Sequence, residues 1–196
     1  MKTTLKDVRI CFTQQLFKAA SFKPEDDPKY DSTFIMEPGS QSEKMLKKAM
    51  LDTAEEKWPG KGSATLKQLV ASNRVCLRDG AEKSQHEGFE GNVFVKGSSK
   101  KRPTVVDRDR SPLTEQDGRI YPGCYVNAIL EVWAQDSKDW GKRINAELVG
   151  VQFVKDDAPL GGGAAPATAD DFPALEDELA EKNDYWDDFD DDDIPL

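Results

Sequence analysis

Two groups of residues combine aromatic rings with cations at spacings that could do recognisable chemistry. In the first, Phe94 and Lys96 alternate onto one face of a strand-like segment, and Lys100, Lys101 and Arg102 follow in the next loop. In the second, Tyr125 and Trp133 share the non-core face of a long alternating segment, and Trp140, Lys142 and Arg143 flank the hairpin after it. Arg9, on the non-core side of the first strand-like segment, is a further candidate cation. Aromatic rings on a sheet stack bases at about 1–3 kcal/mol each without regard to sequence. Lysine and arginine in bordering loops neutralise phosphates. Either Tyr125 or Trp133 would serve equally well as packing beneath a helix, and Glu131 on the same face opposes phosphate, so the pattern lies in the set.

No set of residues supports catalysis. The single histidine, His86, has no second histidine or cysteine at ligand spacing, so no metal site is expected there. Cys11, Cys76 and Cys124 are far apart, form no C-x-x-C pair and sit in apolar runs, which predicts buried free thiols in a reducing compartment. Gly60-Lys61-Gly62-Ser63 lacks the spacing of a phosphate-binding loop and is assigned to a turn. There is no nucleophile elbow and no G-x-G-x-x-G, so the chain is expected to be neither an enzyme nor a cofactor binder.

The charge is unevenly placed. The whole chain of 196 residues has a formal net charge of -10. Residues 158–196 hold thirteen acidic residues and one lysine, a net of -12, and the remaining 24 acidic and 26 basic residues leave 1–157 at +2. That asymmetry suits a body that meets a polyanion and a tail that imitates one. The last thirteen residues contain seven aspartates and then close in Ile194-Pro195-Leu196. Like charges and few apolar groups keep such a stretch from folding alone. Its Tyr185, Trp186, Phe189, Ile194 and Leu196 suit a docking peptide better than a mere solubiliser. The aspartate run lacks the glycine and asparagine of a formed cation loop, so metal binding is not expected. No apolar stretch approaches the ~20 residues of a membrane span, and the N-terminus lacks the apolar core of a signal peptide. These features predict a cytoplasmic protein without membrane association.

The elements that must position these residues are mostly strands. Residues 5–12 alternate, with Val8, Ile10 and Phe12 expected on one side and Arg9 and Cys11 on the other. Tyr30 to Glu37 is a second strand. Ser40-Gln41-Ser42-Glu43 has the form of a capping box, and Leu46, Ala49, Met50 and Thr53 repeat at helical spacing behind it, up to Trp58-Pro59-Gly60. Further strands are expected at 74–77, 92–96 and 104–106. The longest runs from 123 to 134, with Val126, Ala128, Leu130 and Val132 on its core face. It returns through 143–154, where the apolar phase flips around Gly150, as at a bulge. The predicted fold is mainly β: an OB-fold-like antiparallel barrel with one internal helix over residues 1–157. An immunoglobulin-like sandwich is the alternative. A flexible Gly/Ala/Pro linker at 158–169 and a disordered acidic tail at 170–196 complete the predicted organisation.

The tail tip, Asp190-Asp191-Asp192-Asp193-Ile194-Pro195-Leu196, resembles the acidic tip of bacterial single-stranded DNA-binding proteins, with Leu196 in place of their terminal phenylalanine. The body resembles phage-encoded OB-fold single-stranded DNA-binding proteins. The similar stretches are Val8-Arg9-Ile10, Tyr30 to Met36, Leu77-Arg78-Asp79-Gly80, Arg102 to Asp107, Tyr121 to Val126 and Leu148 to Val154, in that order. The resemblance implies a protein that binds and protects single-stranded DNA during phage replication, recombination or repair, in the cytoplasm of an infected bacterium. It also implies that residues 190–196 recruit replication or recombination proteins; self-association is compatible with it. The competing function is a protein-interaction module or DNA-mimic regulator that binds no DNA itself.

Overall fold

The structure, a computed structural model, describes residues 1–21 and 23–161. The linker beyond Gly161 and the whole acidic tail, including Asp190, Asp191, Asp192, Asp193, Ile194, Pro195 and Leu196, lie outside the described residues. Seven strands form one sheet: β1 (Lys2–Cys11), β2 (Tyr30–Met36), β3 (Leu77–Asp79), β4 (Val93–Ser99), β5 (Thr104–Val106), β6 (Tyr125–Ser137) and β7 (Gly141–Lys155). Their order is β3-β4-β2-β1-β6-β7-β5. All pairings are antiparallel except that of β5 with β7. By hydrogen bonds the sheet is open, but it curls until β4 meets β7 across the interior. Gly97 marks the contact: a Cβ there would stand 2.8 Å from Leu130 Cδ2 and 3.3 Å from Leu148 Cβ.

Alternation works as expected along β6, where Val126, Ala128, Leu130 and Val132 are buried and Tyr125, Asn127, Ile129, Glu131 and Trp133 are not. In β7 the buried phase changes next to Gly150. Leu148 pairs with Leu130 and Gly150 with Ile129, so Val149 is the extra residue of a bulge. Phe12 departs from expectation. It adopts a positive φ of 53° just past the end of β1, and its ring leaves the Val8–Ile10 side for the Cys11 side.

The helix α1 (Gln41–Lys57) closes one end of the barrel with Leu46, Ala49, Met50, Thr53 and Ala54. The Ser40 side chain accepts from the Glu43 N–H at 3.3 Å, and the Glu43 carboxylate accepts from the Gly39 N–H at 2.6 Å. Ser42 Oγ both accepts from Lys6 N–H and donates to Lys6 C=O at 2.9 Å, fixing the helix start to β1.

Among the described residues there are two α-helices, not one. The segment from Gly62, expected as a turn, is α2 (Gly62–Ala71). Its N-cap residue, Lys61, makes no side-chain cap bond; Glu55 of α1 supplies it, accepting from the Ser63 N–H at 2.7 Å. Gly62 permits this approach, since a Cβ there would lie 2.5 Å from Glu55 backbone atoms. The strand expected at 74–77 forms three residues later, as β3.

A second apolar cluster covers the outer face of the sheet: Cys11, Ile35, Phe89 and Phe94, with Phe12 and Leu160 packed on it. Residues 80–92 fold back to supply Phe89. Residues 158–161, expected to open the linker, lie against the same segment. The Leu160 N–H donates to Pro122 C=O at 2.9 Å, and the Gly161 N–H donates to Glu87 Oε2 at 3.1 Å. Among the described residues no helix is long and apolar enough to cross a membrane.

Candidate nucleic-acid interface

A groove of about 820 Å³ opens between β3, the outer end of β4 and the β6–β7 hairpin. The hairpin wall carries Trp133, Arg143 and Asn145, placed together by register: Trp133 pairs with Asn145, and Gln135 with Arg143. Trp133 is 44% exposed because its neighbours Val132 and Ala134 take the core side of the strand. The opposite wall carries Arg78 and Lys83. Lys96 and Ser98 line the floor, with Lys29, Lys100 and Lys101 at the rim.

The cations differ in what already holds them. Lys96 Nζ lies 2.7 Å from Asp31 Oδ2, and Lys100 pairs with Asp27. Arg78 Nε donates to Glu82 Oε1 at 3.0 Å, and Asn73 Nδ2 donates to the same oxygen at 2.8 Å. The Arg78 bond is the main cause that holds the Glu82 carboxyl below its usual range. Lys83 Nζ sits over three rings, 4.6 Å from the centre of Phe12, 5.7 Å from Phe94 and 5.8 Å from Phe89. Lys101 and Arg143 form no ion pair among the described residues, so their charge faces the groove uncancelled. Two acids line it: Glu82, held by Arg78, and Glu147, whose Oε1 accepts from Ser99 Oγ at 2.9 Å.

Trp140, 73% exposed, stands at the hairpin tip above a neighbouring depression shared with Arg74, Gln135, Asp139, Arg143 and Asn145. Arg74 holds this tip: its Nε donates to Lys142 C=O at 2.8 Å, its Nη2 donates to Trp140 C=O, and its own C=O accepts from the Ile144 N–H at 3.1 Å. Trp58, at the end of α1, holds the other strand near the tip by donating Nε1–H to Asp136 Oδ2 at 2.7 Å.

The structure therefore divides the candidates. Lys96, Lys100, Lys101, Trp133 and Arg143 meet in the groove, with Trp140 beside it. Phe94 lines the same groove but is only 4% exposed, because Phe89 packs edge-on against it with ring centres 5.3 Å apart. It is a wall residue rather than a stacking face. Lys142 turns away and sits 5.0 Å over the Trp58 ring. Arg9 and Tyr125 lie elsewhere on the sheet. Arg9 donates Nε to Gly123 C=O at 3.1 Å and Nη2 to Ala158 C=O at 2.6 Å. Lys155 and Arg9 lie 4.3 and 5.8 Å from the Tyr125 ring centre. Arg102 is exposed on the loop outside the groove lining. Sequence reasoning missed Lys29, Arg74, Arg78 and Lys83; the signal available was a set of single cations bordering short strands. Among the described residues no cluster of three metal-ligating side chains occurs.

Residues 1–185 match the family described as Enterobacter phage Enc34, ssDNA-binding protein. A protein designated p50 of Acyrthosiphon pisum secondary endosymbiont phage 1 is 39% identical over 184 residues, covering 91% of this chain and 97% of that one. This chain belongs to the Enc34 single-stranded DNA-binding protein family. The single-stranded DNA-binding protein of bacteriophage Enc34, solved in complex with ssDNA, is similar with a TM-score of 0.67 at 27% identity, over 81% of this chain and 88% of that chain. Gp2.5 of bacteriophage T7 is similar in fold alone, with a TM-score of 0.55 at 12% identity over 94% and 97% of the two chains. The expected OB-type architecture is thus the one the family's solved member shares.

Proposed function

We propose that this protein binds and protects single-stranded DNA along the groove between β3, β4 and the β6–β7 hairpin, without strong sequence preference. Family membership supports the ligand, and one observation supports the place. Trp133, a large ring left outside the core, faces a groove in which Arg143 and Lys101 have no acidic partner among the described residues. A ring there accepts any base, and the cations neutralise the phosphates between stacked bases. Replication, recombination or repair of phage DNA is the setting such a coating activity suits. The acidic tail, with residues 190–196 at its tip, recruits partner proteins. Its terminal carboxylate and aspartates suit a basic rim, and Ile194, Pro195 and Leu196 suit an apolar pocket. With its net charge the tail also competes with DNA for the body's cations.

Titrating oligo-dT into the full chain and into a chain ending at residue 183, following tryptophan fluorescence, tests both parts. Quenching is expected in both proteins, with tighter binding by the shortened one at low salt and convergence as salt rises. Absence of quenching and of gel retardation would remove the binding function; equal affinities at every salt concentration would remove the competition.

A further inference from the structure

The ion pairs on the groove's lysines are of two kinds. Asp31, paired with Lys96, is 15% exposed and fixed in β2, where its N–H donates to Gln15 C=O at 3.1 Å. Asp27, paired with Lys100, is 68% exposed, and Lys100 is 67% exposed. Asp27 belongs to the loop closed by the Ala20–Lys29 bridge. On the far side of Lys100 this loop walls a depression of about 620 Å³ with Glu25, Asp26 and Asp27. Lys29, Lys96, Ser98 and Lys100 line both that depression and the groove. Lys100 therefore stands on a ridge, with a carboxylate on one side and the proposed DNA path on the other.

We infer that Asp27 is a releasable counter-anion: it holds Lys100 in the free protein and gives it up to a DNA phosphate, while Asp31 keeps Lys96 throughout. This rests on the groove being the DNA path. A lysine ammonium is a point charge on a flexible stem and passes readily from one anion to another. An exposed pair is weak, so a phosphate displaces Asp27 at small cost. Separating Lys96 from Asp31 would leave a largely buried carboxylate without its partner, which is far less favourable. The Lys100 hydrogen bond, with its charge, also holds the Asp27 carboxyl below its ordinary range, so the competing anion is fully formed at neutral pH. The loop thus lowers affinity from within the body, independently of the tail.

The test measures anisotropy of labelled oligo-dT with the full chain and with Asp27→Asn, Asp26→Asn, Lys100→Met and the double variant Asp27→Asn/Lys100→Met. Asp26→Asn removes the same charge from the same loop, and Asp26 makes no ion pair among the described residues, so it reports the general electrostatic effect. Asp27→Asn is expected to bind about two- to fivefold more tightly than Asp26→Asn at low salt, the range set by an exposed ion pair. That excess is expected to vanish at high salt and in the Lys100→Met background. An Asp27→Asn affinity equal to that of Asp26→Asn overturns the inference. So does a weaker one, which would make Asp27 a residue that positions Lys100, or an excess that survives loss of Lys100. Unchanged binding by Trp133→Ala would instead show that the groove is not the DNA path, and would remove the counter-anion along with it.

Discussion

Trp133 and Phe94 occupy comparable outward positions on their strands, yet their surroundings give them different work. Trp133 is left exposed; Phe94 is covered by Phe89. Replacing Trp133 with alanine is expected to weaken oligo-dT binding by about 1–3 kcal/mol, the worth of one stacked base, with little change in Tm. Phe94→Leu, which keeps most of the volume, is expected to lower Tm and leave affinity within about twofold, because its cost falls on packing. Arg143→Met should reduce the salt dependence by about 0.7 in log–log slope, one phosphate's share for a single strand. Isothermal titration and thermal melts on the three variants separate these outcomes. Affinity falling with Phe94→Leu and not with Trp133→Ala would reverse the two roles.

At the scale of elements, α1 shows how local sequence fixes a helix that the barrel then uses. Ser40→Ala is expected to cost about 1 kcal/mol through loss of the cap, or about 2–4 °C in Tm for a domain of this size. Glu43 adds a pH dependence. Burial alone would raise its pKa, but the Lys47 ammonium at 2.6 Å and the Gly39 N–H outweigh it and hold the carboxyl below its ordinary value. A depressed acid contributes stability above its unfolded pKa and loses it as pH falls through the folded one. Wild type and Glu43→Gln are therefore expected to differ most in Tm near neutrality and to converge in acid, as melts across pH would show. The α1 cap was legible because Ser40 and Glu43 are three residues apart. The α2 cap was not, since Glu55 supplies it from the preceding helix. The same reason explains Phe94 and Arg9. What covers Phe94 comes from a charged-looking loop with one phenylalanine, and what engages Arg9 comes from Gly123 and Ala158, more than a hundred residues along the chain. Period-two alternation in β6 needed no such distant partner, and it put Trp133 outside the core, while Arg143 was read from its place beside the hairpin.

At the scale of the molecule, the hairpin that forms one wall of the groove is tied on both of its strands near the tip. Trp58 holds β6 through Asp136, and Arg74 holds the turn and β7 through the Trp140 and Lys142 carbonyls, with Asp136 and Lys142 directly opposite each other. The wall that carries Trp133 and Arg143 is thus fastened to the ends of both helices. A wall fastened on both strands at its free end does not behave as a swinging flap, so a DNA strand entering the proposed path would meet a surface already in its final shape. Loading should then be a single bimolecular encounter: in stopped-flow mixing, the observed rate is expected to climb linearly with oligonucleotide concentration, with no plateau of the kind that a slow isomerisation imposes. Cutting the tip fastening with Arg74→Ala is expected to introduce that plateau, turning an immediate capture into a gated one.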